Sequence, residues 1–119
     1  AIEFAVSRLK VGTILVLVHA QCGGVAHALA EHEHDDSFLD RWVGLLEPAK
    51  ARIVEAAGDP ATLLEYESIR VTLENLRTFP FVAAAIAERG LTLAGARYGV
   101  ADGALELLDP ETGAFKAVV

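Results

Sequence analysis

Thr13-Ile14-Leu15-Val16-Leu17-Val18-His19-Ala20-Gln21-Cys22-Gly23-Gly24 is the stretch on which the reading of this 119-residue chain turns. After Thr13, the five residues Ile14 to Val18 form an unbroken Ile/Leu/Val run, which predicts a strand over 13–18 covered on both faces, as in a parallel sheet. An imidazole and a thiol follow three positions apart at the mouth of that strand. These donors suit a soft divalent metal such as zinc. Gly23 and Gly24 then let the backbone turn tightly into a helix.

Outward from this core the pattern is helical on both sides. Ile2, Ala5, Val6 and Leu9 fall at helical spacing and Gly12 ends the segment, so the chain opens helix–strand–helix, the second helix running from Gly23 to about Glu31. Ser37 and Asp40 open a further helix to Leu46, with Phe38, Trp42, Leu45 and Leu46 on one face. Pro48 and the alanines after it start another, closed by Gly58. Asp59-Pro60 is a strong start signal, aspartate as N-cap and proline at the first helical position. That helix carries Leu63, Tyr66, Ile69, Leu73 and Leu76 on one stripe and ends near Thr78-Phe79-Pro80. A short helix from Phe81 to Arg89 stops at Gly90. The tail is strand-like over Leu91–Val100, Ala104–Leu108 and Phe115–Val119, with turn signals at Asp102-Gly103 and over Asp109–Gly113. The expected fold is α/β: a mostly parallel central sheet with flanking helices and a C-terminal antiparallel edge strand.

Composition narrows the function classes. A hydrophobic fraction of 53% and a mean hydropathy of +0.38 are high for one small domain, so some apolar surface should be covered by a partner. No apolar run reaches the roughly 18 residues of a membrane span, and no targeting segment is visible, which predicts a soluble protein with no membrane partner. The net charge of −7 gives a nucleic-acid partner no electrostatic support. A single cysteine excludes an internal disulfide and points to a reducing, cytoplasmic setting. The chain contains no methionine, so further sequence is expected upstream of Ala1.

With these residues laid out, the chain resembles the C-terminal part of a β-class carbonic anhydrase. Four blocks carry the likeness in order: Ala1–Val6 with Leu9-Lys10-Val11; His19-Ala20-Gln21-Cys22-Gly23-Gly24-Val25, similar to the family's His-x-x-Cys-Gly-Gly metal motif; Asn75–Val82; and Gly95–Tyr98 with Gly103 and Leu108–Gly113. Val18 stands where the family usually has glycine, and Gly99 where it usually has aspartate. The family's Cys-x-Asp-x-Arg motif, source of a second cysteine ligand and a water-orienting Asp–Arg pair, is absent from these residues. The resemblance therefore implies that residues 1–119 are one domain's C-terminal portion, beginning upstream. It implies an obligate homodimer or higher homo-oligomer, and reversible, zinc-dependent hydration of carbon dioxide to bicarbonate. His19 and Cys22 would be two of the three protein ligands of Zn2+, with no catalytic residue of the Asp–Arg kind in this chain.

Each candidate has a plainer reading. A lone cysteine is more often a small buried hydrophobe; its place between His19 and the glycines favours ligation. Gly23 and Gly24 are expected to line the substrate site at a helix start, where free N–H groups favour bicarbonate. The acidic and histidine-rich run His27, Glu31, His32, Glu33, His34, Asp35, Asp36 reads as a solvated helix end rather than a second metal site. Asn75 and Arg77 are expected to tie down the long helix, and Trp42 to sit in the core or a subunit interface. Two rival functions stand: a catalytically inactive carbonic-anhydrase-like assembly domain, and a redox thiol protein using Cys22 beside His19, disfavoured by the lack of a resolving cysteine.

Overall fold

The computed structural model describes residues 1–31 and 36–118. Six α-helices and four strands follow in order: α1 (Ile2–Ser7), β1 (Thr13–His19), α2 (Gly23–Leu29), α3 (Phe38–Val43), α4 (Glu47–Arg52), α5 (Pro60–Arg77), α6 (Pro80–Arg89), β2 (Thr92–Tyr98), β3 (Leu105–Leu108) and β4 (Phe115–Ala117). One 3₁₀ turn, Gly44–Leu46, joins α3 to α4, so the helix expected to run unbroken to Leu46 tightens at its last turn.

The strands form one mixed sheet in the order β1-β2-β3-β4. β1 and β2 are parallel, in register from Thr13 opposite Thr92 to His19 opposite Tyr98. β2–β3 and β3–β4 are antiparallel. The α/β expectation thus holds, with the antiparallel part extending over two pairings rather than a single edge strand. Asp102-Gly103 makes the first of these turns, with Gly103 at φ +70.

Local chemistry explains the long helix. Asp59 caps α5 by accepting from the Thr62 N–H at 3.0 Å, and Pro60 opens it. Its C-terminus is held by Thr78, which donates through N–H and Oγ1 to the Asn75 carbonyl, and by Arg77, which donates to the Leu73 carbonyl. The tie-down role expected of Asn75 and Arg77 is met by these bonds. α5 buries two sides. Leu64 and Val71 join Val25, Ala28, Val43, Ala49 and Ile53 of α2–α4 in one core cluster, while Ile69 and Leu73 approach Gly95 of β2. A second cluster, Val6, Val82, Ala85 and Leu91, seats α1 and α6 against Ile14 and Leu93.

Gly95 is what lets α5 come so close. A Cβ there would lie 2.5 Å from Ile69 Cγ2 and 3.2 Å from Leu73 Cδ1.

Two burial expectations are corrected. β1 is covered on one face only: Ile14, Val16 and Val18 are half-buried, whereas Leu15 and Leu17 are 53% and 57% exposed. The reason is that the described helices pack on the Ile14–Val18 side, leaving the other side of this edge strand bare. Trp42 is not core either. It is 63% exposed, as are Phe38 and Leu45 to a still greater degree, and only Leu46 of that face packs against the first cluster. Among the described residues no helix is long and apolar enough to cross a membrane.

Candidate metal centre

The strand-to-helix turn from His19 to Cys22 is short and held at each residue. Its first link extends the β1–β2 ladder, the Ala20 N–H donating to the Tyr98 carbonyl at 2.8 Å. His19 is exposed, and its Nδ1 lies 2.9 Å from the Ala20 carbonyl oxygen. A carbonyl only accepts, so Nδ1 carries the ring proton and the Nε2 lone pair is left for another partner. Gln21 adopts the left-handed region at φ +57, which costs a side-chain-bearing residue. Cys22 is the N-cap residue of α2, half-buried against the first core cluster.

Below the turn lies a buried ionic network that sequence reasoning did not anticipate. Glu65 of α5 is only 1% exposed. Its Oε1 accepts the Gln21 N–H at 3.1 Å and its Oε2 accepts Arg97 Nε at 2.7 Å. Arg97 also donates to Glu106 at 3.1 Å, and the Tyr66 hydroxyl donates to the same carboxylate at 2.8 Å. Burial works against the Arg97 charge, but the bonds to Glu65 and Glu106 outweigh it and raise its pKa. The Tyr66 phenol is likewise raised, first by burial and then by its bond to Glu106. Arg97 is thus occupied by two carboxylates. The signal was present: Glu65 lies four residues before Ile69, on the line of Ile69, Leu73 and Leu76, a carboxylate in a core position. Arg97 lies two residues past Gly95, and so faces the same helix.

Beside Cys22 opens a largely apolar cavity of about 280 Å³, lined by Val18, Cys22, Gly24, Val25, Trp42, Val43, Leu45, Leu46, Ser68 and Thr72. A Cβ on Gly24 would lie 3.4 Å from the Trp42 ring and 3.7 Å from Cys22 Sγ, whereas one on Gly23 would meet nothing within 4 Å. Of the two glycines expected to line a substrate site, Gly24 therefore borders this cavity and Gly23 faces open space.

The histidine-rich run divides. His32, Glu33, His34 and Asp35 lie outside the described residues. His27 pairs through Nε2 with the buried Asp40 at 3.0 Å, and Asp36 pairs with Arg41. Among the described residues no group of three or more His, Cys, Asp or Glu side chains converges as a metal cluster. His19 and Cys22 share one turn and supply an imidazole nitrogen and a thiol. That donor chemistry fits zinc, and it accounts for two positions of a tetrahedral shell.

The carbonic anhydrase family model matches residues 1–105. Beta carbonic anhydrase 3 of Arabidopsis thaliana is 31% identical over 116 residues, the match covering 90% of this chain and 45% of that protein. The chain thus spans less than half the length of this curated relative. Among solved structures, the β-carbonic anhydrase CafA of Aspergillus fumigatus superposes with a TM-score of 0.81 at 30% identity over 94% of this chain and 57% of its own. A tetrameric β-carbonic anhydrase of Sordaria macrospora gives 0.81 at 29%, over 98% and 59%. The β-carbonic anhydrase CcaA gives 0.86 at 25%, over 98% and 60%. The chain belongs to the β-carbonic anhydrase family.

Proposed function

We propose that this chain carries the His19–Cys22 half of a zinc centre for the reversible hydration of carbon dioxide to bicarbonate. The observation that carries the reading is the His19 Nδ1 bond to the Ala20 carbonyl, which leaves the Nε2 lone pair available three residues before the Cys22 thiol. Metal-ligating histidines characteristically hold their second ring nitrogen this way. Zinc bound there supplies the lowering of a water pKa toward about 7 that hydration at neutral pH needs. The chain's own part is to present His19 Nε2 and Cys22 Sγ, to keep the turn between them fixed, and to offer an apolar cavity beside Cys22 suited to an uncharged substrate. Gly24 borders that cavity, and Gly23 leaves open space where a side chain would stand. A third donor and the Asp–Arg pair belong to the Cys-x-Asp-x-Arg motif that the family resemblance implies.

Oligomerisation is part of the same reading. Leu15, Leu17, Phe38, Trp42 and Leu45 form apolar surface that assembly would cover, and the Sordaria relative is tetrameric. A second reading, an inactive carbonic-anhydrase-like assembly domain, rests on the same exposed apolar surface.

The test is metal analysis of full-length protein together with a stopped-flow pH-indicator assay. About one zinc per subunit is expected, falling sharply in His19→Ala and Cys22→Ser. Hydration is expected of full-length protein and not of residues 1–119 alone. Unchanged zinc in both variants refutes the ligand assignment, and zinc-loaded protein without hydration selects the assembly reading.

A further inference from the structure

The buried carboxylate of Glu65 has no role in a packing account of the core, yet it reaches the ligand turn. We propose that Glu65 is a positioning residue: with Arg97 behind it, it fixes the Gln21 backbone and so sets the separation of His19 Nε2 and Cys22 Sγ. The proposal rests on the zinc reading above.

Four observations converge. Gln21 is exposed, carries a side chain, and is nevertheless held at φ +57. Backbone in that region persists where the surroundings over-determine it. The only side chain bonded to the Gln21 amide among the described contacts is Glu65, at 3.1 Å. Glu65 cannot swing away, because it is 1% exposed and its second oxygen is bound by Arg97 at 2.7 Å. Arg97 is itself fixed by Glu106 at 3.1 Å and lies 5.2 Å over the Tyr66 ring. The turn between the two metal donors is therefore anchored twice, at Ala20 by β2 and at Gln21 by α5. Releasing the second anchor frees the Gln21 peptide to leave the left-handed region, which swings Cys22 relative to His19.

Three samples of full-length protein test this: wild type, Glu65→Gln, and the control Glu74→Gln, which removes an exposed carboxylate paired with Arg52 on the same helix. Glu65→Gln keeps the side-chain volume but replaces a charged acceptor by an amide that puts a donor or a neutral oxygen against Arg97. Zinc affinity is read by chelator competition. The geometry at Cys22 is read from the thiolate-to-metal absorption of the cobalt-substituted protein, and folding from a thermal melt. The expected result is a 10–100-fold loss of metal affinity and an altered cobalt spectrum in Glu65→Gln, the range seen when groups supporting metal ligands are removed, with Glu74→Gln like wild type. Hydrogen exchange on wild type needs no variant: the Gln21 amide should exchange slowly despite its exposed position. Wild-type affinity and spectrum in a folded Glu65→Gln overturn the proposal, and so does fast Gln21 exchange in wild type if Glu65→Gln does not fold. Wild-type protein that takes up neither zinc nor cobalt refutes the zinc reading, a result distinct from either.

Discussion

Gly95→Ala puts the helix–sheet contact to a sharp test. The new methyl would start 2.5 Å from Ile69 Cγ2, well inside van der Waals contact, and 3.2 Å from Leu73 Cδ1. Ile69 is fully buried and β-branched, so its Cγ2 cannot rotate aside as the tip of a long side chain would. Overpacking of this kind costs about 1–3 kcal/mol. Alanine recovers roughly 0.5–1 kcal/mol of the backbone entropy that glycine forfeits in a strand, leaving a net loss of about 1–2 kcal/mol. For a chain of this size, near 2 cal/mol/K per residue of unfolding entropy converts each kcal/mol into about 4 °C of Tm. Denaturant titration and calorimetry of Gly95→Ala should therefore show a drop of about 4–8 °C with an unchanged m-value. Ile69→Ala alone should cost about 2–5 kcal/mol by leaving a cavity. In the double variant the added methyl occupies part of that cavity, so the two losses should fall short of additivity by about 0.5–3 kcal/mol. A Gly95→Ala protein as stable as wild type, or strictly additive losses, would refute the close-approach argument.

Other outcomes follow from single contacts. Asp59→Ala removes the cap that accepts the Thr62 N–H and Oγ1–H, and should lower stability by about 1 kcal/mol in urea unfolding, whereas Asp59→Asn should recover most of it. Asp109 is pushed down to about 2, first by its bond from Lys116 and then by the Glu111 N–H. Because its folded pKa is depressed, its contribution is present above about pH 4 and is lost as pH falls through 2. Acid titration followed by NMR should show the Asp109 carboxyl protonating late, and Lys116→Ala should bring it back toward the ordinary aspartate value.

Much of the fold was legible because the signals were local. The Asp59-Pro60 start, the Gly90 stop and the Ser37 cap each depend on one or two residues and their own backbone, and each appears where expected. What local pattern could not show was which faces are covered. Residues 14–18 are uniformly apolar, and that composition is compatible with burial on one side or two. The outcome depends on which side the helices take, and α1, α5 and α6 take the Ile14–Val18 side. Of the two places expected for Trp42, core or subunit interface, the core is excluded for a related reason: its stripe is amphipathic, but only Leu46 at its end reaches the first core cluster. At the candidate centre, the nearness of His19 and Cys22 follows from their spacing of three and the strand-to-helix turn between them. The place of Glu65 was not legible, because its partners Gln21 and Arg97 lie 44 and 32 residues away in sequence.

The energetics of that network bear on why it is ionic at all. Replacing a buried ion pair by apolar residues of similar volume is often neutral or stabilising, so stability alone is a weak reason to keep Glu65 and Arg97. Apolar contacts already hold α5 to β2 one turn along, where Ile69 and Leu73 meet Gly95. What no apolar side chain can do is accept the Gln21 N–H. The left-handed conformation of Gln21 costs about 1–2 kcal/mol. A neutral hydrogen bond returns about 0.5–1.5 kcal/mol, a bond to a charged group about 1.5–3. Only the charged acceptor comfortably offsets the strain, and Arg97 Nε at 2.7 Å holds that acceptor in place from behind. On the proposed reading, the turn that carries His19 and Cys22 is thus kept in shape by a device whose cost falls on the core and whose effect falls on the two candidate donors.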